Sequence, residues 1–111
     1  MYIRFGDIYL KPEHRDDYIR LIIEEIGISK RLEPGTIRFD ISQNLEDPNV
    51  IHAYEVFTDK AAFDHHHRQT YVIDFLKTTK DWVSAERYPL KGREWKNLEP
   101  MDNEWGKGSD V

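Results

Sequence analysis

Three histidines stand in a row, His65, His66 and His67, in the segment DKAAFDHHHRQTY. Clustered imidazoles suggest either a metal site or a proton-transfer group. Consecutive residues of a helix point about 100° apart, so three in a row cannot converge on one ion. A helical chelate needs histidines at i and i+4, and the position four after His65 is Gln69. No metal is expected. One imidazole facing a pocket could still move a proton near neutral pH. Two other groupings carry chemistry. Arg38 and Asp40 are two apart in TIRFDIS and share a strand face. They could supply an anion contact and a group that orients a base, or form a surface ion pair worth ~0–1 kcal/mol. Glu55 shares its face with Ile51, Ala53 and Phe57 in VIHAYEVF. A carboxylate among apolar neighbours either finds a cation, such as Arg38, or resists ionisation.

These side chains must be held by elements that the pattern also predicts. Residues 2–10 alternate with period two and predict a strand. A helix follows from Pro12. Glu13, Asp16 and Asp17 suit its N-terminal end and Lys30 and Arg31 its C-terminal end, with Tyr18, Leu21, Ile22 and Ile26 as the buried stripe. Pro34 and Gly35 make a turn in which Gly35 is free to take a positive φ. Strands over 36–42 and 50–57 form a hairpin across QNLEDPN. Thr58 or Asp59 can cap a short helix through the histidines, and Thr70 can cap the next helical piece. AERYPLKGREWKNL predicts a last strand, interrupted at Pro89. The order β-α-β-β-α-β predicts an α+β, ferredoxin-like antiparallel sheet with helices on one face. The strands carry apolar residues on both faces, so a second copy is expected on the other face, as a homodimer.

Composition bounds the function. The chain has 111 residues, a formal charge of −5 and no cysteine. An acidic balance argues against nucleic acid as a partner, and the absence of a run of about 18 apolar residues argues against a membrane span. A cytoplasmic location and a small-molecule substrate are expected.

The stretches EPGTIRFDIS, YEVFTDKAAFDHH and WKNLEP resemble the antibiotic biosynthesis monooxygenase family over residues 2–100. This suggests one domain over 1–100 and a polar tail over 101–111. The family's EPG strand motif is met by Glu33, Pro34, Gly35, Arg38, Phe39 and Asp40, and its strand-end motif by Tyr54, Glu55 and Phe57. The family's helix histidine falls eleven residues after that glutamate, at His66. Tyr71 stands where many members have a second histidine, and Phe57 where many have tryptophan. The resemblance implies a dimeric α/β barrel. It also implies cofactor-free, metal-free oxidation of a small phenol or quinol by O2. His66, Asp40 and Glu55 become the candidate catalytic residues. Arg38, Phe39, Phe57 and Tyr71 become the candidate substrate contacts. A related branch isomerises a phosphorylated dione and would need further cations, from Arg4 or Arg68. A non-catalytic small-molecule binder is a third reading.

Overall fold

The alternation at the N-terminus becomes β1 (Tyr2–Tyr9) in a computed structural model of the chain, which describes residues 1–84, 93–99 and 101. A 3-10 turn at Pro12–His14 leads into α1 (Arg15–Leu32). Asp16 and Asp17 lie in its first turn and Lys30 and Arg31 in its last, as the helix dipole favours. Next come β2 (Thr36–Gln43), β3 (Val50–Phe57), α2 (Lys60–His67) and α3 (Thr70–Thr79). A 3-10 turn at Lys80–Trp82 and β4 (Arg93–Lys96) complete the order. The sheet runs β2-β3-β1-β4 with every pairing antiparallel. This is the ferredoxin-like α+β arrangement that the pattern predicts. Pro89 and the tail beyond residue 101 lie outside the described residues. Among those residues, no helix is long and apolar enough to cross a membrane.

Asp59 caps α2, its side chain accepting from the Ala62 N–H at 2.8 Å. At α3 the cap position is Gln69, not the expected Thr70, and its side chain makes no cap bond. α3 is therefore held mainly by packing, which suits its ten residues.

The sheet has two unlike faces. On one, Ile8, Ile51 and Ala53 pack with Leu10 and with Tyr18 and Ile22 of α1. On the other, Phe5 stacks on Tyr54 with ring centroids 5.9 Å apart, and His52 bonds Asp7 at 2.8 Å. The β2–β3 register shifts between Thr36 and Arg38. Such a bulge inserts one residue and resets which side chains face inward. Thr36 and Phe39 are thus both buried, while Arg38 and Asp40 are exposed.

Gly35 has a role other than the one expected. Its φ lies outside the left-handed region, but a Cβ there would come within 2.5 Å of the Ala62 Cβ. The glycine lets the start of β2 sit against α2. Gly35→Ala is expected to push α2 away and to destabilise the fold by about 1–3 kcal/mol. Urea denaturation measures this. Adding Ala62→Gly should recover part of the loss, less about 1 kcal/mol for glycine inside a helix.

Candidate active site

A cavity of about 730 Å³ lies between the helix-bearing face of the sheet and α1, α2 and α3. Ile8, Tyr18, Ile22, Val72 and Phe75 form its apolar wall, and Arg4, Glu25, Glu55, His66 and His67 its polar end. This is a common form of small-molecule site: concave, mostly apolar, with a few polar groups together.

His66 is at the centre of that end and is 1% exposed. Its Nδ1 lies 2.9 Å from Glu33 Oε2 and its Nε2 lies 3.2 Å from Glu25 Oε1. With a carboxylate at each nitrogen, the arrangement favours the imidazolium form, in which both ring nitrogens donate. Burial is the largest single influence and acts to lower the His66 pKa. The bonds and charges of Glu25 and Glu33 together outweigh it, and the net shift is upward. Ser29 Oγ sits 3.3 Å from Nδ1 and shares a 2.8 Å bond with Thr36. The Tyr71 hydroxyl donates to the same Glu33 oxygen that meets Nδ1.

Glu55 stands opposite Arg4 on β1 and Phe39 on β2. It is half-buried and lines the cavity. Among the described residues, no hydrogen bond or ion pair holds its carboxylate. Burial raises its pKa to about 7; Glu25 adds to the rise, while His66 and Arg4 oppose it.

The histidine run divides differently from the sequence reading. His65 is exposed and bonds Gln69, four residues on. His67 lines the cavity beside His66, where the sequence reading places a single imidazole. Its Nδ1–H donates to the Phe63 carbonyl at 3.0 Å, which leaves Nε2 as an acceptor, and burial lowers its pKa.

Of the predicted site residues, His66, Glu55 and Phe39 meet at the cavity. Phe57 and Tyr71 do not line it. Phe57 is fully buried behind Phe63 and His66, with centroids 5.5 Å from each, and Tyr71 backs the histidine through Glu33. Arg38 and Asp40 are placed elsewhere, correcting the expectation for both. They pair at 2.6 Å with their side chains 44% and 48% exposed, on the sheet face away from the helices. Arg38 stands beside Val56, on the face opposite Glu55, so it cannot neutralise that carboxylate. A pair so exposed is worth under about 1 kcal/mol.

Glu25 was missed, although the sequence carried a signal. The buried positions of α1 are Tyr18, Ile22, Glu25 and Ser29, spaced four, three and four. A glutamate and a serine on an apolar stripe must find partners if buried. The family strand motif included Glu33, but nothing in it pointed to His66 as the partner.

The comparisons fit this geometry. The family model described as antibiotic biosynthesis monooxygenase matches residues 1–78. A candidate antibiotic biosynthesis monooxygenase from Nitrosomonas europaea has a similar structure, with a TM-score of 0.80 and 25% identity, covering 89% of this chain and 91% of that one. Another from Deinococcus radiodurans shares the fold, with a TM-score of 0.77 and 20% identity, covering 92% and 97%. An uncharacterized protein of Synechocystis sp. is 30% identical over 79 residues, which are 71% of this chain and 53% of that protein. The chain thus spans about half the length of that curated relative.

Proposed function

The chain belongs to the antibiotic biosynthesis monooxygenase family, and on that premise we propose that it oxidises a small phenol or quinol with O2, without metal or organic cofactor, in the cavity described. The observation that carries the reading is the Glu55 carboxylate, unpaired among the described residues, lining an aromatic-walled cavity beside the buried His66 ring. Phenols lose an electron to O2 more readily once deprotonated, so the site needs a base. Both nitrogens of His66 are already engaged; of the two remaining acceptors on the cavity, Glu55 and His67 Nε2, we assign Glu55 as the base. It takes the phenolic proton, and the phenolate passes an electron to O2. Recombination and loss of water complete the balance: a quinol and O2 give a hydroxyquinone and H2O. The His66 imidazolium supports the negative charge that builds up at this end. Phe39 and Phe63 flank the ring.

The test is oxygen uptake with a panel of quinols and phenols. Uptake is expected to rise between pH 6 and 8 as Glu55 ionises, with its half-point near the Glu55 pKa of about 7. No uptake with any of them at high enzyme concentration would reject the reading.

One observation favours a second reading. Lys11 and Lys80 line the cavity besides Arg4, cations that a phosphorylated dione would need. Turnover of such a dione, followed by NMR, would select isomerisation over oxidation. The proposal includes a homodimer, with the second copy on the helix-free sheet face. A single monomeric species in sedimentation at micromolar concentration would remove that part.

A further inference from the structure

The Nδ1 side of His66 is held by groups that do not line the cavity. Glu33 caps the C-terminal end of α1, its backbone N–H donating to the Ser29 carbonyl at 2.9 Å, and it is 5% exposed. Its Oε2 takes two partners from two other helices: Nδ1 of His66 on α2 and the hydroxyl of Tyr71 on α3. Neither Glu33 nor Tyr71 is among the cavity residues, whereas Glu25, on the Nε2 side, is.

We infer that Glu33 and Tyr71 are positioning residues: they anchor the Nδ1 side of His66 so that its Nε2–H is held on Glu25 at the cavity wall. The function of the anchor rests on the reading of this cavity as an active site.

Three features support the anchor. First, the ring has little freedom. Phe57 and Phe39 pack on it with centroids at 5.5 and 6.2 Å, and the chain Glu33–His66–Ser29 is sealed from solvent. Second, one oxygen collects both donors, so the loss of either donor is felt by the other through Glu33. Third, the second Glu33 oxygen is buried without a partner among the described residues. An unsatisfied buried oxygen is costly, and groups left in that state are commonly functional ones. The charged and titratable groups around His66 come from every packed element: Glu25 and Glu33 from α1 and its cap, Tyr71 from α3, Glu55 from β3, and His67 beside it on α2. Arg4 of β1 acts on His67 and Glu55.

The test reads His66 directly by 15N NMR of its ring in the intact protein. It needs no substrate, so a failed oxygen-uptake assay would leave its outcome standing. In the parent chain both ring nitrogens should carry protons through neutral pH. Glu33→Gln keeps the size but removes one of the two facing charges. It is expected to weaken the His66 proton affinity by at least about tenfold. Tyr71→Phe removes one hydroxyl; it should move the Nδ1 resonance and leave Nε2 in place. Where a substrate is turned over, both variants should lower kcat rather than raise KM, because neither residue touches the substrate. An unchanged His66 titration in Glu33→Gln, or an unmoved Nδ1 signal in Tyr71→Phe, would overturn the assignment. Tyr71→Phe loses a single oxygen and keeps the test available should Glu33→Gln not fold.

Discussion

Glu55→Gln is expected to make the protein more stable at pH 8 and at least about 100-fold less active. The two effects have one cause. The Glu55 pKa rises from 4.5 to about 7 chiefly because its carboxylate is desolvated, with Glu25 adding to the rise against His66 and Arg4. The folded state therefore favours the protonated form, and between those values the folded chain binds a proton that the unfolded chain has lost. Stability must fall as pH climbs through that window, by about 3 kcal/mol in total, with the full cost reached above pH 7. A glutamine is neutral at every pH and nearly the same size. The variant should match the parent near pH 4.5 and exceed it by about 3 kcal/mol at pH 8. Urea denaturation at the two pH values measures the difference. Two other groups of the parent titrate too. The raised pKa of His66 removes stability as pH passes above its unfolded value, and the lowered pKa of His67 adds stability over the range just below. Both remain in the variant, so the parent–variant difference isolates Glu55. Equal stabilities at pH 8 would mean that the carboxylate is better solvated than its surroundings indicate.

Removal of His66 should act in the opposite direction. His66→Ala leaves Glu25 and Glu33, 6% and 5% exposed, as two buried carboxylates with no cation between them. Breaking a buried ion pair by deleting one partner costs about 3–5 kcal/mol, because the remaining charge is uncompensated. A second variant separates this cost from simple loss of packing: His66→Ala combined with Glu25→Gln and Glu33→Gln has the same missing ring without the buried charges, and should be the more stable of the two at pH 7. A deficit under about 1 kcal/mol at pH 7 would show that the cluster is not held as an ion network.

These two residues also show how far sequence reasoning reached. Glu55 was singled out because three apolar residues share its strand face, a local pattern that needs no knowledge of the rest of the fold. His66 was separated from its neighbours by its distance along the chain from Glu55, through the family resemblance, and the cavity does receive it. The two carboxylates that hold its ring lie 33 and 41 residues away along the chain. No local pattern encodes contacts at that separation. Tyr71 was placed in a pocket because it replaces a second histidine, yet it serves Glu33 instead.

The sequence by itself determined the order of elements, the antiparallel α+β class and the strand face that holds Glu55. Side-chain periods of 2 and 3.6 are properties of neighbouring residues, and burying their apolar sides leaves few topologies. Tertiary structure alone decided which polar residues meet. The bulge after Thr36 put Phe39 inward and Arg38 outward, the close approach at Gly35 brought α2 against the start of β2, and the packing of α1 set Glu25 on Nε2 of His66. Each depends on register or on distance between remote segments. A shift of one residue at any of them would reverse which side chains face the cavity, and local pattern alone gives no sign of such a shift.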